Sequence, residues 1–350
     1  MSEGAGRVAL VTGAGGFIGG RLAARLAERG WRVRALVRDA QRLDDGFRGT
    51  VEVHVGDLGD GRALRGAVRG AAVVFHCAAN VRTWDSAPAY YRANVEGTRN
   101  LLAALDEEAG GAGRLVHLST VDVYGFPQVP CDERAPTPPT GFAYGDSKRE
   151  GEALVRAWAE ARGRACVVLR PGNVFGPGSP FARRIGEALR SGIMLTVDGG
   201  RAHAGIIDVD NLVDHLLWAA ESARAPGNCY NARDPHDARW AQVIAAFRAG
   251  LGVRGRVIDL PFGLADALGA GMQGLWRVVA PAREPPLHRL LVRVLGRTCG
   301  HSAARLHADG APPGRIGFEE SMRRSVRWVL EREARGAGAA RHGTGEGASR

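Results

Sequence analysis

The chain begins with a short apolar run that leads into a glycine-rich turn and then an amphipathic segment. Residues 7–12 (RVALVT) are apolar and β-branched, which predicts a buried strand. The turn lacks side chains where a backbone must approach a pyrophosphate, and the helix after it offers its positive N-terminus. Strand, glycine turn and helix in this order predict a dinucleotide site. The candidate cofactor contacts here are Gly13, Gly15, Gly16, Phe17, Ile18 and Gly19.

Four further apolar runs, at residues 31–37, 51–55, 72–76 and 114–119, alternate with helical patterns. This alternation predicts an α/β fold, a Rossmann-type doubly wound parallel sheet. We expect an NAD(P)-binding domain over residues 1–170. Residues 171–335 are predicted to form mainly a smaller C-terminal substrate-binding lobe, with a return of the chain to the sheet as the alternative for part of this range. Residues 336–350 are Gly, Ala, Arg and Ser without periodicity, which predicts a disordered tail.

The end of the second predicted strand bears on the choice of cofactor. An acidic residue at this point would accept the ribose hydroxyls of NAD. The sequence instead has Val37 followed by Arg38, and a guanidinium can pair bidentately with a 2′-phosphate. The sequence therefore favours NADP. In the alternative, Arg38 is only solvated, Asp39 reaches the ribose, and NAD is bound.

Two other strand ends supply candidate cofactor contacts. Asp57 and Leu58 follow the third strand at the carboxyl edge, where an adenine ring can lie. The alternative for Asp57 is a role as N-cap of the next helix. Ala78 and Ala79 follow the fourth strand, and their small side chains let the backbone pass close to the nicotinamide ribose.

A lysine stands out because it is the only one in the chain. G+C-rich coding explains why arginine replaces lysine elsewhere, but not why Lys148 remains; chance survival is the alternative. Tyr144 and Lys148 are four residues apart and share one face of a helix. An ammonium beside the phenol is expected to lower the pKa of Tyr144, which can then exchange a proton with a substrate hydroxyl or carbonyl.

At this point the sequence resembles the extended short-chain dehydrogenase/reductase superfamily, of the NAD-dependent epimerase/dehydratase type. The matching segments are TGAGGFIG (12–19), GDL (56–58), NVEGTRNLL (94–102), LSTVDVYG (118–125), YGDSK (144–148) and LRPGNVFGPG (169–178). Counted back from the VYG that follows, Thr120 matches the catalytic hydroxyl of the family, with Ser119 as the second choice.

The resemblance implies a role for each matched residue. Thr120 holds the substrate oxygen, Tyr144 moves the proton, and Lys148 lowers the tyrosine pKa and binds the nicotinamide ribose. Asn94 either relays a proton or holds the helix geometry, with an ordinary side-chain-to-backbone bond as the alternative. The remaining candidates are Pro171 for the cofactor and Ser119, Thr120, Asn173 and His203 for the substrate.

The second half of the chain has a narrower resemblance, to the 3β-hydroxysteroid dehydrogenase/isomerase branch. It is carried by residues 206–220, the proline-led helix from Pro261, and residues 284–298 and 316–331. It implies interconversion of a secondary alcohol and a ketone on a hydrophobic small molecule. The branch has an aromatic residue before its VDN, where this chain has Ile206, Ile207 and Asp208, and an aromatic pair near 299–300 that is absent here.

Nucleotide-sugar epimerases and dehydratases remain the alternative, because their first half matches equally well. They place an arginine seven residues before the aspartate that corresponds to Asp210. This chain has His203 there, with Arg201 two residues away.

Composition limits the partners and the compartment. The net charge of +10 comes from scattered arginines without a basic run, so we expect no nucleic-acid partner. The histidines are scattered as well, and no metal site is expected. Five widely spaced cysteines predict neither a disulfide framework nor zinc, which favours the cytoplasm. A monomer or homodimer is expected.

The most apolar stretch is 261–280 (PFGLADALGAGMQGLWRVVA). No run of 18 apolar residues exists, so a transmembrane helix is not expected. The stretch is predicted to be a helix that lines the substrate pocket. The alternative is a peripheral membrane contact, with Trp276 and Arg277 at the interface.

Overall fold

A computed structural model of the protein describes residues 6–43, 45–108 and 113–342. Its centre is a parallel sheet of seven strands in the order β10-β6-β5-β4-β1-β2-β3. Two pairs of short strands, β7–β9 and β8–β11, lie outside this sheet. The strands are β1 (Val8–Thr12), β2 (Arg32–Val37), β3 (Val51–Val55), β4 (Val73–His76), β5 (Arg114–Leu118), β6 (Cys166–Pro171), β7 (Asn173–Phe175), β8 (Ile193–Val197), β9 (Ile206–Asp208), β10 (Cys229–Ala232) and β11 (Arg256–Leu260).

Helices cover both faces of the sheet and form most of the C-terminal half. A π-helical turn, Arg92–Glu96, joins α4 to α5, and a 3₁₀ turn, Val121–Tyr124, follows β5. The helices are α1 (Phe17–Glu28), α2 (Asp45–Arg48), α3 (Gly61–Val68), α4 (Ala87–Tyr91), α5 (Gly97–Glu107), α6 (Ala143–Arg162), α7 (Pro180–Arg190), α8 (Val209–Glu221), α9 (Trp240–Leu251), α10 (Phe262–Val279), α11 (Arg289–Gly296), α12 (Ala304–Ala308) and α13 (Phe318–His342).

The strand order confirms the predicted fold class. β1 pairs in parallel with β2 on one side and with β4 on the other, so the order reverses at β1. In doubly wound sheets a crevice opens at the carboxyl ends of the strands at this reversal, and ligands bind there. Thr12, the last residue of β1, is in register with Leu36 on one side and His76 on the other. The crevice therefore opens beside the glycine turn.

The strands are apolar on both faces because helices bury both. Along β1, Ala9 and Val11 belong to the core beneath α1 and α8, whereas Leu10 belongs to the core beneath α3, α5 and α6. This explains why the predicted strands read as continuous apolar runs and not as alternating ones.

The C-terminal half has its own core but also returns to the sheet. Phe175, Trp240 and Phe247 are fully buried in a second cluster together with residues of α7, α9 and α11. β10 pairs with β6 at the edge of the large sheet. An ion-pair group links the halves, because Asp210 on α8 accepts from Arg21 on α1 and from Arg324 on α13.

The last helix extends further than the sequence pattern indicated. We expected disorder from residue 336, but α13 continues to His342. Alanine and arginine, which are frequent in this segment, have high helix propensity, so an established helix propagates through it. The remaining part of the predicted tail, 343–350, lies outside the described residues. No helix in the described ranges has the length and apolar character needed to cross a lipid bilayer.

Candidate active site

The glycine turn after β1 has the shape needed to hold a dinucleotide. Gly13 has a φ of +73°, and a Cβ there would lie 2.8 Å from Cα of Ala78. Only glycine lets these two backbones approach so closely. The Ala78 N–H donates to Thr12 Oγ1 at 3.1 Å, which fixes the segment after β4 against the turn. Gly13 and Ala78 therefore lie together at the crevice, and their contacts with the cofactor remain predictions.

The N-terminus of α1 is open towards this turn. Its N-cap, Gly16, has no side chain to accept from the first-turn N–H groups, and no acidic residue lies in that turn. Unpaired N–H groups at a helix N-terminus are suited to a pyrophosphate. The ring of Phe17 packs beside Gly178, where a Cβ would lie 3.0 Å from the ring. The turn is thus shaped for the cofactor, and the residues present fit it.

At the end of β2, the side chain of Arg38 is exposed and the carboxylate of Asp39 is hydrogen-bonded. Arg38 is exposed, and no described residue forms an ion pair with it. Asp39 caps the short turn after β2, because its Oδ1 accepts from the N–H of Gln41 at 2.9 Å. The carboxylate that would reach the ribose in the NAD alternative is therefore used in a local turn.

The GDL segment lies at the same edge. Asp57 is exposed and accepts from the N–H of Gly59 at 2.7 Å. The N-cap of α3 is Asp60, which accepts from Ala63 N–H, so the helix-capping role considered for Asp57 belongs to Asp60. Leu58 lies against Gly97, where a Cβ would lie 2.7 Å from its side chain.

Lys148 is buried one helical turn after Tyr144 on α6. Its side chain is 4% exposed, and Nζ donates to the backbone oxygen of Leu118 at 2.7 Å. Leu118 ends β5, directly before the candidate hydroxyl residues. Burial lowers the pKa of Lys148 to about 8. The ammonium is thus fixed at the carboxyl end of the central strands, beside the expected nicotinamide site.

Tyr144 faces Thr120, but the predicted effect of Lys148 on its pKa is wrong for this structure. Burial is the largest influence on the pKa of Tyr144 and raises it, and the carboxylate of Asp122 raises it further. The side chain of Thr120 lies close enough to the phenol to lower the pKa of Tyr144. Lys148 is not among the groups that shift the pKa of Tyr144, and its Nζ donates to the Leu118 carbonyl.

The structure separates the two candidate hydroxyls. Ser119 Oγ donates to Glu152 Oε2 at 2.8 Å in the buried interior. Glu152 also forms a buried ion pair with Arg170, with Arg170 Nε to Glu152 Oε2 at 3.0 Å. Ser119 is therefore engaged away from the crevice, whereas Thr120 is directed towards Tyr144. The role of Thr120 as the catalytic hydroxyl, the first choice from the sequence, remains a prediction.

Asn94 is fully engaged in the scaffold. It lies in the π-helical turn, where its Oδ1 accepts from Asn80 N–H at 2.7 Å. Its Nδ2 donates to Asn80 O at 3.1 Å and to Ser147 Oγ at 2.9 Å. These bonds tie the segment after β4 to helix α6 between Tyr144 and Lys148. Of the two roles considered, the structure favours holding the geometry.

His203 and Asn173 are also held by local bonds. His203 Nε2 lies 3.0 Å from Asp237 Oδ1, and its Nδ1 accepts from Gly205 N–H at 2.9 Å. Asn173 Nδ2 donates to the Ala204 oxygen at 2.6 Å. Pro171, at the end of β6, is buried and pairs with Ala232 of β10. Their contacts with substrate or cofactor remain predictions.

Sequence reasoning missed Asp122. It lies two residues after Thr120 in the 3₁₀ turn, its N–H donates to Thr120 Oγ1 at 3.2 Å, and burial raises the pKa of its carboxyl to about 7. Its charge acts on Tyr144. A carboxyl two residues after Thr120 was the available signal in LSTVDVYG. Within the described residues, no group of three or more His, Cys, Asp or Glu side chains is arranged to hold a metal ion.

Comparison with known proteins agrees with this geometry. The chain is 31% identical over 317 residues to a 4-hydroxy-2-methyl-3-oxo-4-farnesyl-3,4-dihydroquinoline-1-oxide ketoreductase of Stigmatella aurantiaca, covering 89% of this chain and 93% of the relative. It is 31% identical over 332 residues to a 2-alkyl-3-oxoalkanoate reductase of Stenotrophomonas maltophilia (strain K279a), covering 90% and 97%.

A solved structure shares the fold over nearly the whole chain. The structure of MoeE5 in complex with UDP-glucuronic acid and NAD has a TM-score of 0.73 and 25% identity, and the match covers 93% of this chain and 100% of that one. A family model described as the NAD dependent epimerase/dehydratase family matches residues 9–232. These residues contain the glycine turn, Thr120, Tyr144 and Lys148. The protein is thus a member of the NAD dependent epimerase/dehydratase family, within the extended short-chain dehydrogenase/reductase superfamily.

Proposed function

We propose that the protein is an NADP-preferring ketoreductase that interconverts a secondary alcohol and a ketone on a hydrophobic small molecule. The observation that carries this proposal is that Tyr144 faces Thr120 and lies one helical turn from the buried Lys148. Two relatives that are 31% identical over about nine-tenths of the chain are named as reductases, which supports the same reaction class.

Each residue of this group has a distinct task. The nicotinamide, when bound, supplies or accepts the hydride. Thr120 donates a hydrogen bond to the substrate oxygen, and Tyr144 transfers a proton to or from that oxygen. Lys148, oriented by the Leu118 carbonyl, holds the ribose hydroxyls. Burial raises the pKa of Tyr144, so the phenol carries its proton at neutral pH.

The preference for NADP rests on the end of β2. Arg38 is exposed, and Asp39 is engaged with its own turn. A charged hydrogen bond from Arg38 to a 2′-phosphate contributes about 1.5–3 kcal/mol. Arg38→Ala should therefore weaken NADPH binding by roughly 10- to 150-fold and leave NADH nearly unchanged. Arg32→Ala, at the exposed opposite end of the same strand, is the matched control.

Fluorescence titration of NADPH and NADH against the unmodified protein, Arg38→Ala and Arg32→Ala determines which cofactor the protein prefers. An equal loss for NADPH and NADH in Arg38→Ala would overturn the NADP preference. Tighter binding of NADH than NADPH by the unmodified protein would do the same, and the protein would then be an NAD enzyme of its family.

The proposed substrate is a ketone that carries an apolar chain. The named relatives act on a farnesyl-bearing 3-oxo quinoline oxide and on 2-alkyl-3-oxoalkanoates, which share a ketone beside an apolar substituent. The narrower resemblance to 3β-hydroxysteroid dehydrogenases remains a prediction within this class. The five cysteines are all free, which supports a reducing cytoplasm, and we propose a monomer or homodimer there.

A spectrophotometric screen tests the reaction. We expect NADPH oxidation with 2-alkyl-3-oxoalkanoates, steroid ketones or prenylated ketones, and no turnover with UDP- or GDP-sugars. Tyr144→Phe, which keeps the ring, controls for contaminating reductases. Turnover of a sugar nucleotide, with no response to any apolar ketone, would overturn the proposal.

Nucleotide-sugar epimerisation or dehydration is the second candidate. The fold similarity to MoeE5 with UDP-glucuronic acid favours it. The residue at the position of the diphosphate-binding arginine argues against this function. In this chain that residue is His203, and both of its ring nitrogens are hydrogen-bonded. Calorimetric titration of UDP- and GDP-sugars in the presence of cofactor distinguishes the two. Micromolar binding, near −8 kcal/mol, accompanied by turnover would favour the epimerase.

A further inference from the structure

Helix α10 has an apolar surface that the fold leaves uncovered. Its large side chains Leu264, Leu268, Leu275, Val278 and Val279 are 48–82% exposed. They recur at helical spacing along a helix of 18 residues, which is about 27 Å long. An ordinary surface helix turns charged residues towards solvent. The outward side of α10 has a single charged side chain, Arg277, near its C-terminal end.

The opposite side of α10 is fully used in packing. Ala265 and Gly269 are buried, and a Cβ at Gly269 would lie 3.2 Å from the backbone of His288. Phe262 and Met272 complete the seam against the C-terminal core. Asp266 on the flank is paired with Arg289 and Arg293 of α11. The outward apolar residues are therefore not needed to hold the helix in place, and their character requires another explanation.

The charges around α10 are predominantly positive. Between residues 254 and 297 the chain has seven arginines and three carboxylates. The carboxylates are engaged: Asp259 accepts from Gly199 N–H, Asp266 pairs with α11, and Glu284 with Arg184. In the described part of the chain, Arg277 and Arg283, which flank the C-terminal end of the apolar surface, are exposed without a carboxylate partner.

The same end of α10 adjoins the active-site crevice. Trp84 Nε1 donates to the Pro281 oxygen at 3.1 Å, and the rings of Trp84 and His288 lie 5.8 Å apart. This contact joins the segment after α10 to the segment that follows β4. Tyr90 hydrogen-bonds to Arg82 O in that segment, and its ring lies 6.0 Å from Tyr144. The apolar surface thus ends a few side chains from the catalytic tyrosine.

We propose that the outward surface of α10, together with Arg277 and Arg283, binds peripherally to an anionic lipid bilayer. An apolar helix surface bordered by cations is suited to the boundary between headgroups and acyl chains. A second copy of the chain is less suitable, because its α10 would bring the same unpaired arginines and no opposing charge to the contact. The further step, uptake of an apolar ketone from the bilayer into the adjacent crevice, rests on the function proposed above.

Vesicle flotation of the full-length protein, without cofactor or substrate, tests the binding. We expect binding to phosphatidylcholine vesicles that contain 30% phosphatidylglycerol, and much weaker binding to phosphatidylcholine alone. Leu268→Gln with Leu275→Gln should lower the partition coefficient at least about 10-fold. Val129→Gln with Leu330→Gln, at exposed apolar positions elsewhere, should change it by less than about twofold.

A second pair of substitutions tests the charge. Arg277→Gln with Arg283→Gln should lower binding to the anionic vesicles about 25-fold, roughly fivefold for each cation, and leave the weak binding to neutral vesicles unchanged. Circular dichroism and NADPH titration of every variant establish that the fold and the cofactor site are intact.

The outcomes separate this proposal from the proposed reaction. No binding of the unmodified protein to anionic vesicles, or unchanged binding in Leu268→Gln/Leu275→Gln, overturns the membrane surface even if the ketoreductase activity is found. If vesicle binding depends on these leucines but no ketone is reduced, the proposed membrane surface stands and the proposed ketoreductase activity is wrong. If light scattering detects a dimer that the leucine substitutions dissociate, and the protein does not bind vesicles, the surface binds a second copy of the chain. That result overturns the membrane proposal.

Discussion

The two walls of the crevice use their polar side chains differently. On the sheet side, Thr120 and Tyr144 are directed to each other at the carboxyl edge, and Lys148 lies one turn behind them. On the lobe side, His203 and Asn173 bond to neighbouring backbone and to Asp237. Under the proposed function, the sheet side provides the chemistry and the lobe side contributes mainly apolar shape. Substitutions on the two walls should then have very different effects.

The largest expected effect is that of Tyr144→Phe, on the sheet side. The change removes the proton donor and keeps the ring that packs against Tyr90. General acid catalysis contributes 10²–10⁴-fold, so kcat should fall about 1,000-fold, with KM little changed. Steady-state kinetics with a true substrate measure this. Tyr91→Phe, which loses one partly exposed hydrogen bond to Glu150, is the control and should stay within about twofold. Residual turnover above one-tenth would remove Tyr144 from the chemistry.

Lys148→Arg should have the next largest effect. The site around Nζ is buried and built for a compact ammonium that donates to Leu118 O. A forked guanidinium needs more room and more acceptors. We expect kcat/KM to fall at least about 100-fold, or roughly 2.7 kcal/mol of transition-state stabilisation. The reverse exchange at the next position, Arg149→Lys, should be nearly silent. Near-normal turnover of Lys148→Arg would mean that the lysine only survived by chance.

The adjacent hydroxyls provide a comparison within the sheet side. Thr120→Val should lower kcat about 30-fold, because the substrate oxygen loses a hydrogen bond in the transition state. Ser119→Ala should leave kcat nearly unchanged and lower the free energy of unfolding by about 1–3 kcal/mol, because Glu152 loses a buried donor. Kinetics and urea unfolding of both variants decide the matter. The opposite pattern would make Ser119 the catalytic hydroxyl.

On the sheet side, local sequence rules predicted which side chains would lie near one another, and their catalytic roles remain predictions. Four-residue spacing places Tyr144 and Lys148 on one helix face, and counting from VYG selects Thr120 over Ser119. The direction of the pKa shift of Tyr144 was not predictable, because it depends on burial and on Asp122 across the turn. On the lobe side, composition predicted an apolar helix at 261–280, but not which side of α10 the fold would cover.

Asp122→Asn tests how burial acts on the sheet side. Burial raises the pKa of Asp122 to about 7, above the ordinary value near 4. The folded state therefore binds a proton more tightly than the unfolded state, and stability is lost as the pH rises from about 4 to about 7. Asp122→Asn should remove that loss and stabilise the protein by about 1–2 kcal/mol above pH 7, after allowance for partial exposure. Urea unfolding at pH 5 and 8 measures it; an identical pH dependence in both proteins would contradict it.

The smallest effect is expected on the lobe side, at His203. Its hydrogen bonds are to the N–H of Gly205 and to Asp237, whose side chain is 75% exposed, so His203→Gln should cost about 1 kcal/mol of stability. Turnover of the apolar ketone should stay within about threefold.

His203→Arg sharpens this test. It restores the residue type of nucleotide-sugar enzymes, yet the backbone of Gly300 lies directly against the imidazole. A longer side chain there cannot extend to a diphosphate unless the segment around Cys299 moves. Calorimetry should therefore detect no binding of UDP-sugars to His203→Arg. If that single change created micromolar binding, polar contacts on the lobe side would determine the substrate, and the distinction between the two walls would be wrong.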